Sequence, residues 1–280
     1  EPWFDKEERE ALNEYMKHGG WITEFKQTEA FETVIAKYTG AKHCIAVNNG
    51  TISLTLAALA CGIKAGDEVI VPNYTMIATP NSIKMFGAVP VFVDIEEESL
   101  CINIELVKGA ITNKTKAIVT IHNYGVVSNV LQLQNIAREN DIYLIEDCAE
   151  SIFSKQGEVY SGNYGDLSTF SFHATKIFNT FEGGAIISHD EEMKKRIDLL
   201  KNFGFANETT VVAPGINAKM SEIQAAMGIL QLKYVDENIE KRRQLTLRYR
   251  ELLDKILGIN YLEDIPNTNH CYSYFPILVD

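Results

Sequence analysis

The chain has little of what marks the specialised protein classes. Its five cysteines, Cys44, Cys61, Cys101, Cys148 and Cys271, are odd in number and contain no C-x-x-C pair. That pattern excludes a disulfide scaffold and a cysteine-rich zinc site, and leaves buried free thiols in a reducing compartment as the expectation. No apolar run is long enough to cross a bilayer. No secretory signal pattern is visible, although the chain opens at Glu1 rather than at a methionine, and a cytoplasmic location is expected. Positive charge is scarce: 26 Lys and Arg stand against 38 Asp and Glu, for a net charge of −12. An acidic chain repels nucleic-acid backbones and anionic membranes, so neither is an expected partner, whereas a small anion held by local amides and a few cations remains compatible. Low-complexity stretches and internal repeats are lacking. No G-x-G-x-x-G follows the first strand, which argues against a dinucleotide-binding oxidoreductase.

What is present is ordinary for a soluble globular enzyme: 280 residues, 46% hydrophobic and 23% charged. That length suits one large core, or one large domain and part of a second. The opening, Glu1 to about Lys17, is charged and helical in pattern, and Gly19-Gly20 breaks it. Short Val/Ile-rich runs then alternate with helical ones. Strands are expected at 44–47, 68–71, 89–93, 117–120 and 142–145, the last running into Glu146-Asp147. Helices are expected at 52–61, 78–85, 104–111 and 131–139. The strands show little polar alternation, as strands buried on both faces do, which predicts an α/β sheet, mostly parallel, with helices on both faces. A long amphipathic helical region spans roughly Met220 to Leu253, and Tyr272 to Val279 reads as one strand of a second unit.

Ligands in such sheets sit at the carboxyl ends of strands. Four stretches there carry polar residues. In Asn48-Asn49-Gly50-Thr51, glycine permits a tight turn and the following helix presents unpaired N–H groups to an anion; the plain alternative is a turn with Thr51 as helix cap. In Glu146-Asp147-Cys148-Ala149-Glu150, a carboxylate faces the ligand side, where it could bind a metal, act as a base, pair with a protonated ring nitrogen or simply cap a helix. In the stretch Phe170 to Lys176, followed by Glu182-Gly183-Gly184, Lys176 in a partly dry pocket would be a nucleophile toward aldehydes and Ser171 could hold a phosphate oxygen; against this, most lysines are solvated. His173 has no second His or Cys at ligand spacing, so it reads as structural or substrate-facing, and no metal is expected. In Gly215 to Met220, Asn217 lies on an extended loop and Ser221 is a candidate helix cap. Taken in order, a Gly-Thr turn, a strand-end Asp and Ser-x-x-x-x-Lys supply a phosphate cradle, a pyridinium partner and a Schiff-base lysine, the protein contributions that pyridoxal 5′-phosphate (PLP) requires.

On these residues the sequence resembles the sugar aminotransferases of the DegT/DnrJ/EryC1/StrS family over nearly its whole length. The matching segments are Gly20 to Thr23, Asn49-Gly50-Thr51, Gly66 to Pro72, Pro90 to Asp94, His122-Asn123-Tyr124-Gly125, Glu146 to Glu150, Ser171 to Lys176, Glu182-Gly183-Gly184 and Asn217 to Met220. The resemblance implies a fold-type I PLP enzyme with three parts: an N-terminal arm (1–25), a large cofactor domain (26–235) and the start of a small C-terminal domain (236–280), which looks truncated. It implies that Lys176 forms the Schiff base and shuttles the proton through a pyridoxamine phosphate stage, and that Asp147 pairs with the pyridine nitrogen. It places Glu150 near the ring hydroxyl, Ser171 with the Gly50 and Thr51 amides on the phosphate, and Asn217 on the cofactor phosphate of a neighbouring subunit, hence a homodimer. The family often stacks an aromatic ring on PLP after the Pro of Val71-Pro72; here Met76 takes that position, with Tyr74 as the other candidate.

The implied reaction moves an amino group from glutamate to a nucleotide-linked keto-sugar. The segment from Phe172 to Gly184 is similar to enzymes that aminate C4 of a dTDP-linked 4-keto-6-deoxy sugar, whereas Asn73 to Asp94 and Cys101-Ile102-Asn103 look closer to GDP-perosamine synthases. A dTDP-linked 4-keto-6-deoxy sugar is therefore favoured over a GDP-linked one, and a 3-keto sugar stays open. Such products feed O-antigen, capsule, other surface-glycan or antibiotic pathways. His173, and Lys219 for a diphosphate, are the substrate candidates. Two other classes compete: a PLP-dependent sugar dehydratase, which the Schiff-base lysine argues against, and a non-catalytic regulatory protein, which the set Lys176, Asp147 and Ser171 argues against.

Overall fold

The computed structural model describes residues 5–18, 20–127 and 129–280, with only the backbone of His18. Its elements in chain order are α1 (Lys6–His18), α2 (Lys26–Thr39), β1 (His43–Val47), α3 (Gly50–Ala60), β2 (Glu68–Pro72), α4 (Ala78–Lys84), β3 (Val89–Val93), α5 (Ile104–Ala110), β4 (Thr115–Ile121), α6 (Val130–Glu139) and β5 (Tyr143–Asp147). There follow β6 (Lys155–Gln156), β7 (Val159–Tyr160), β8 (Leu167–Ser171), β9 (Gly184–Ser188), α7 (Glu191–Lys201), α8 (Glu222–Gln231), α9 (Val235–Leu253), β10 (Ile259–Tyr261), β11 (Thr268–Asn269) and β12 (Ile277–Val279). Within the helix expected from Glu1, Glu1 to Phe4 lie outside the described residues, as does Gly19 of the expected break. No helix among the described residues is long and apolar enough to cross a membrane.

A seven-stranded sheet in the order β1-β9-β8-β5-β4-β2-β3 forms the centre. Every pairing is parallel except those of β9, which runs against both β1 and β8. The sheet is the expected mostly parallel one, covered on both faces. Side chains on a strand alternate between faces. Val69 and Val71 accordingly join Leu56, Ala57 and Ala60 of α3 and Ile197 of α7 in one core cluster. Between them, Ile70 joins Leu133 and Ile136 of α6 and Val107 of α5 on the other face. At the β1 edge, Ala46, Phe170 and Ala185 pack on Phe31 and Ile35 of α2 and Ala225 of α8. These continuously apolar strands are stable only when both faces are covered.

The reversed strand has a consequence for the site. Because β9 runs back beside β8, the connection between them stays at the C-terminal rim of the parallel strands. The loop from Phe172 to Gly183, which carries Lys176, therefore hangs over the ends of β5 and β8.

Helices α2 and α7 add to the expected set. Phe25, at the start of α2, offers no side-chain cap. The fully buried carboxylate of Glu222 caps this helix instead, accepting from the amides of Phe25 (2.8 Å), Gln27 (2.7 Å) and Thr28 (3.0 Å) and from the Thr28 hydroxyl (2.5 Å). The unpaired N–H groups of a helix start are thus satisfied across almost 200 residues of chain.

One expectation is refined and one needs correction. The helical region Met220 to Leu253 is α8 and α9 with a tighter 3₁₀ turn at Leu232–Tyr234 between them, and Ser221 caps α8 with a reciprocal bond to Gln224. The single strand Tyr272 to Val279 is strand only at Ile277–Val279, paired antiparallel with β10. The reason is that the preceding residues are held down elsewhere. β11 pairs with β6, Cys271 is fully buried, Tyr272 takes a left-handed φ of 51°, and Arg242 holds the Ser273 carbonyl at 2.9 Å.

Candidate active site

The ends of β1, β5 and β8 supply the chemistry. After β1, the Asn49 side chain caps α3 by accepting from the Ile52 amide at 2.9 Å. The cap is therefore Asn49 and not Thr51, in keeping with the strong preference for Asn at that position. Gly50 follows because nothing larger fits: a Cβ there would lie 2.7 Å from Cβ and 3.2 Å from Cα of Ser171. This close approach brings the first N–H groups of α3, at Gly50 and Thr51, beside the Ser171 hydroxyl. Helix-start amides with a neighbouring hydroxyl form a cradle for a dianionic phosphate.

Asp147, the last residue of β5, is buried and accepts from the Ala149 amide at 3.1 Å and the Thr79 hydroxyl at 3.2 Å. Burial pushes its pKa above the ordinary carboxylate value; the Ala149 amide, the Lys176 charge and Thr79 offset this only in part, and nearby Glu150 adds to the rise. No helix begins here, so Asp147 is not an N-cap. A buried carboxylate in this state is stabilised by a cation placed against it.

The Lys176 loop is pinned from below. Buried Phe172 and Phe178 pack edge to face at 5.1 Å, and both contact Phe31. The Phe172 amide donates to Gly183 O and the Thr180 amide to Phe172 O, which closes the loop at its base. Lys176 Nζ lies 3.7 Å from Glu150 Oε1 and 5.8 Å from the centre of the Tyr274 ring. The other oxygen of Glu150 accepts from the Tyr124 amide at 2.9 Å.

These groups share one cavity of about 860 Å³, within the range of small-molecule sites. Gly50, Thr51, Met76, Asp147, Glu150, Ser171, His173 and Lys176 all line it. Tyr74 does not; its hydroxyl bonds instead to the Tyr124 hydroxyl. Met76, largely exposed, is thus the one of the two stacking candidates on the cavity wall. His173 Nδ1 accepts from the Thr175 amide at 3.2 Å, which puts any single ring proton on Nε2, 3.5 Å from Glu182. A second cavity, of about 720 Å³, opens between this loop and α9 and shares Thr175 and Lys176 with the first.

Two expected residues lie outside the cavity wall. Asn217 is exposed on the segment that runs beside the end of β1, where the Asn48 amide donates to Ala218 O. Lys219 donates to Asn202 Oδ1 at 2.9 Å, with its ammonium over the Phe203 ring at 5.0 Å, so within this chain its charge is engaged outside the cavity wall. Residues assigned no role from the sequence also matter: Thr79 on Asp147, Tyr124 on Glu150, and Tyr274 in the wall. Tyr124 lies in a segment matched to the family, whereas Thr79 and Tyr274 carry no local signal.

PLP fits this residue set. The Gly50 approach that a Cβ would fill provides the phosphate end, Asp147 matches a pyridinium nitrogen, and among the described residues Lys176 is the only lysine or arginine lining the cavity. A metal fits less well. Among the described residues His122, Glu146 and Cys148 form the one group at ligand distance. Glu146 already accepts from His122 Nε2, the amides of Gly162, Tyr164 and Gly165 and the Ser168 hydroxyl, while burial holds the Cys148 thiol far above its ordinary pKa.

The model of the DegT/DnrJ/EryC1/StrS aminotransferase family matches residues 2–280. The chain belongs to that family. It is 42% identical over 254 residues to the dTDP-4-amino-4,6-dideoxy-D-glucose transaminase of Escherichia coli, a match that covers 90% of this chain and 68% of the relative. It is 38% identical over 284 residues to the GDP-perosamine synthase of Vibrio cholerae, covering 100% and 77%. Its fold matches the crystal structure of DesI in the presence of its TDP-sugar product with a TM-score of 0.93 at 33% identity, covering 100% of this chain and 71% of that one. This member of the DegT/DnrJ/EryC1/StrS family is therefore an aminotransferase, with the family's sheet and helix arrangement.

Proposed function

We propose that this aminotransferase uses PLP, anchored on Lys176, to move an amino group from glutamate to a nucleotide-linked 4-keto-6-deoxy sugar. The observation that carries the reading is the convergence of Lys176, Asp147 and the Gly50–Ser171 cradle on a single cavity. Bound PLP supplies an aldehyde that condenses with amines and an electron-withdrawing pyridinium ring. The chain's own residues do the rest. Lys176 Nζ would hold the aldehyde carbon and, once freed by the incoming amine, would carry the proton between the substrate carbon and the cofactor carbon. Asp147 keeps the proton on the ring nitrogen, because its buried carboxylate is stabilised by that positive charge. Ser171 Oγ and the Gly50 and Thr51 amides hold the phosphate, so the ring cannot rotate away from Lys176. Glu150 would serve the ring hydroxyl, and Met76 would offer the ring a polarisable thioether.

Residues 26–235 form the cofactor unit in this reading and 236–280 open a second. Asn217, exposed beside the end of β1, is assigned to the cofactor phosphate of a partner subunit in a homodimer. His173 and Lys219 are assigned to the sugar nucleotide. A dTDP-linked sugar is favoured over a GDP-linked one from the segment Phe172 to Gly184; the dTDP-sugar relative shares 42% identity over 254 aligned residues and the GDP-perosamine synthase 38% over 284.

The test is a turnover assay with PLP, glutamate and a panel of dTDP- and GDP-linked 4-keto-6-deoxy sugars, with amino-sugar product read by mass spectrometry. Product is expected for the wild type, and Lys176→Ala should lower turnover at least 10³-fold, on the order of what loss of a covalent nucleophile costs. Undiminished turnover in that variant, or no product from any sugar of the panel, would overturn the reading.

A further inference from the structure

The segment from β11 to Tyr274 follows the long helix α9, yet it returns to the cofactor unit and places a ring in the cavity wall. Thr268 and Asn269 pair with Gln156 and Lys155 of β6. The Cys271 amide then donates to Ser154 Oγ at 3.1 Å, and that hydroxyl donates to Gly125 O at 2.8 Å. The contact is close enough that a Cβ on Gly125, itself at a φ of +92°, would lie 2.9 Å from Cys271 Sγ. From α9, Arg242 Nη1 donates to the Ser273 carbonyl at 2.9 Å. The backbone leading into Tyr274 is therefore fixed by three separate elements.

The ring fixed in this way meets Tyr124, which in turn meets Tyr74. It stands edge to face on Tyr124 at 6.1 Å, and the Tyr124 hydroxyl bonds to that of Tyr74. Tyr124 also presents its amide to Glu150. Lys176 Nζ consequently has a carboxylate oxygen at 3.7 Å on one side and an aromatic face at 5.8 Å on another. A lysine has a flexible four-carbon stem, and a side chain with that much rotamer freedom points in one direction only when walls restrict it. An aromatic face within about 6 Å of an ammonium is such a wall, with an electrostatic attraction added.

We propose that Tyr274 is a positioning residue for Lys176, its ring holding Nζ in the direction from which it captures the aldehyde of the cofactor. This rests on the PLP reading above. The ring acts through the lysine and not on the cofactor itself. Its loss therefore weakens binding of PLP, whose aldehyde carbon would bond to Nζ once the ammonium has given a proton to solvent, the aldehyde oxygen leaving as water, and spares binding of 4′-deoxypyridoxine 5′-phosphate, which has the same ring and phosphate but no aldehyde.

The experiment measures the affinity of the cofactor-free full chain for both compounds, by absorbance for PLP and by fluorescence quenching for the analogue. Borohydride reduction and peptide mapping locate the PLP adduct. Tyr274→Leu, which removes the flat ring wall, should bind PLP roughly five- to tenfold more weakly, about what releasing rotamers of the lysine stem costs. Tyr274→Phe should restore wild-type affinity, and all three proteins should bind the analogue equally. Unchanged PLP affinity in Tyr274→Leu, or an equal loss for PLP and the analogue, would overturn the proposal. A wild-type protein without the adduct on Lys176 would overturn the cofactor reading itself, and the role of Tyr274 with it.

Discussion

Glu146 and Asp147 are neighbours at the end of one strand, and both carboxylates are buried, yet they sit in opposite electrostatic conditions. Glu146 accepts from five donors, among them His122 Nε2 at 2.8 Å. Burial would push its pKa up, but the bond to His122 and its charge, with the Gly165 and Gly162 amides, outweigh that and hold it below the ordinary value. Asp147 has two donors and its pKa is pushed up. The period of two along the strand sends one side chain behind the sheet and the other into the cavity. What differs is satisfaction. A fully bonded buried charge is part of the structure, whereas an under-compensated one beside a cavity is poised for a ligand of opposite charge.

The comparison breaks most visibly at Glu146. Glu146→Ala leaves His122 and three buried amides without their acceptor, and should lower stability by about 3–5 kcal/mol, as removal of one partner of a buried pair does. The cofactor-free protein should show this as a large drop in thermal midpoint. A drop of less than about 2 °C would contradict the view that Glu146 is a structural charge.

Asp147 should respond with the opposite sign. Asp147→Asn removes an under-compensated buried charge, so the cofactor-free protein should melt at the wild-type temperature or about 2 °C higher at neutral pH. Its PLP affinity should fall by roughly 30- to 100-fold, the size of a lost charge-assisted hydrogen bond. The pH dependence sharpens the contrast. The raised pKa of Asp147 opposes folding where the group is ionised, and this opposition fades as pH falls through the raised value. The lowered pKa of Glu146 contributes stability above the ordinary carboxylate range, and that contribution is lost only as pH falls through the lowered value. On acidification, PLP affinity should therefore weaken while the protein is still folded. Titration of PLP at stepped pH, with circular dichroism at each step, checks the order of the two losses.

The same contrast explains how much the sequence revealed. The strand run at 44–47 was legible because double burial leaves it apolar throughout, and that at 89–93, on the exposed edge of the sheet, from its apolar run alone; the strand-end rule then exposed Gly50, Asp147, Ser171 and Lys176 together. The resemblance to the family added the roles. What stayed hidden are contacts made between distant stretches of chain. Glu222 capping α2 and Cys271 held by Ser154 each join residues more than 100 positions apart. Tyr274 was hidden for a further reason: the stretch 272–279 has the composition of a strand, and only the hold of Arg242 and β6 on its first residues turns it toward the cavity. Lys219 was selected on charge alone, and within the chain that charge is engaged by Asn202.

The most direct test of the central claim is a visible absorption spectrum of the purified chain with added PLP, followed by borohydride reduction and peptide mapping. The account predicts a visible band that reduction abolishes, with the label on Lys176. No band, or a label on another lysine, would contradict it.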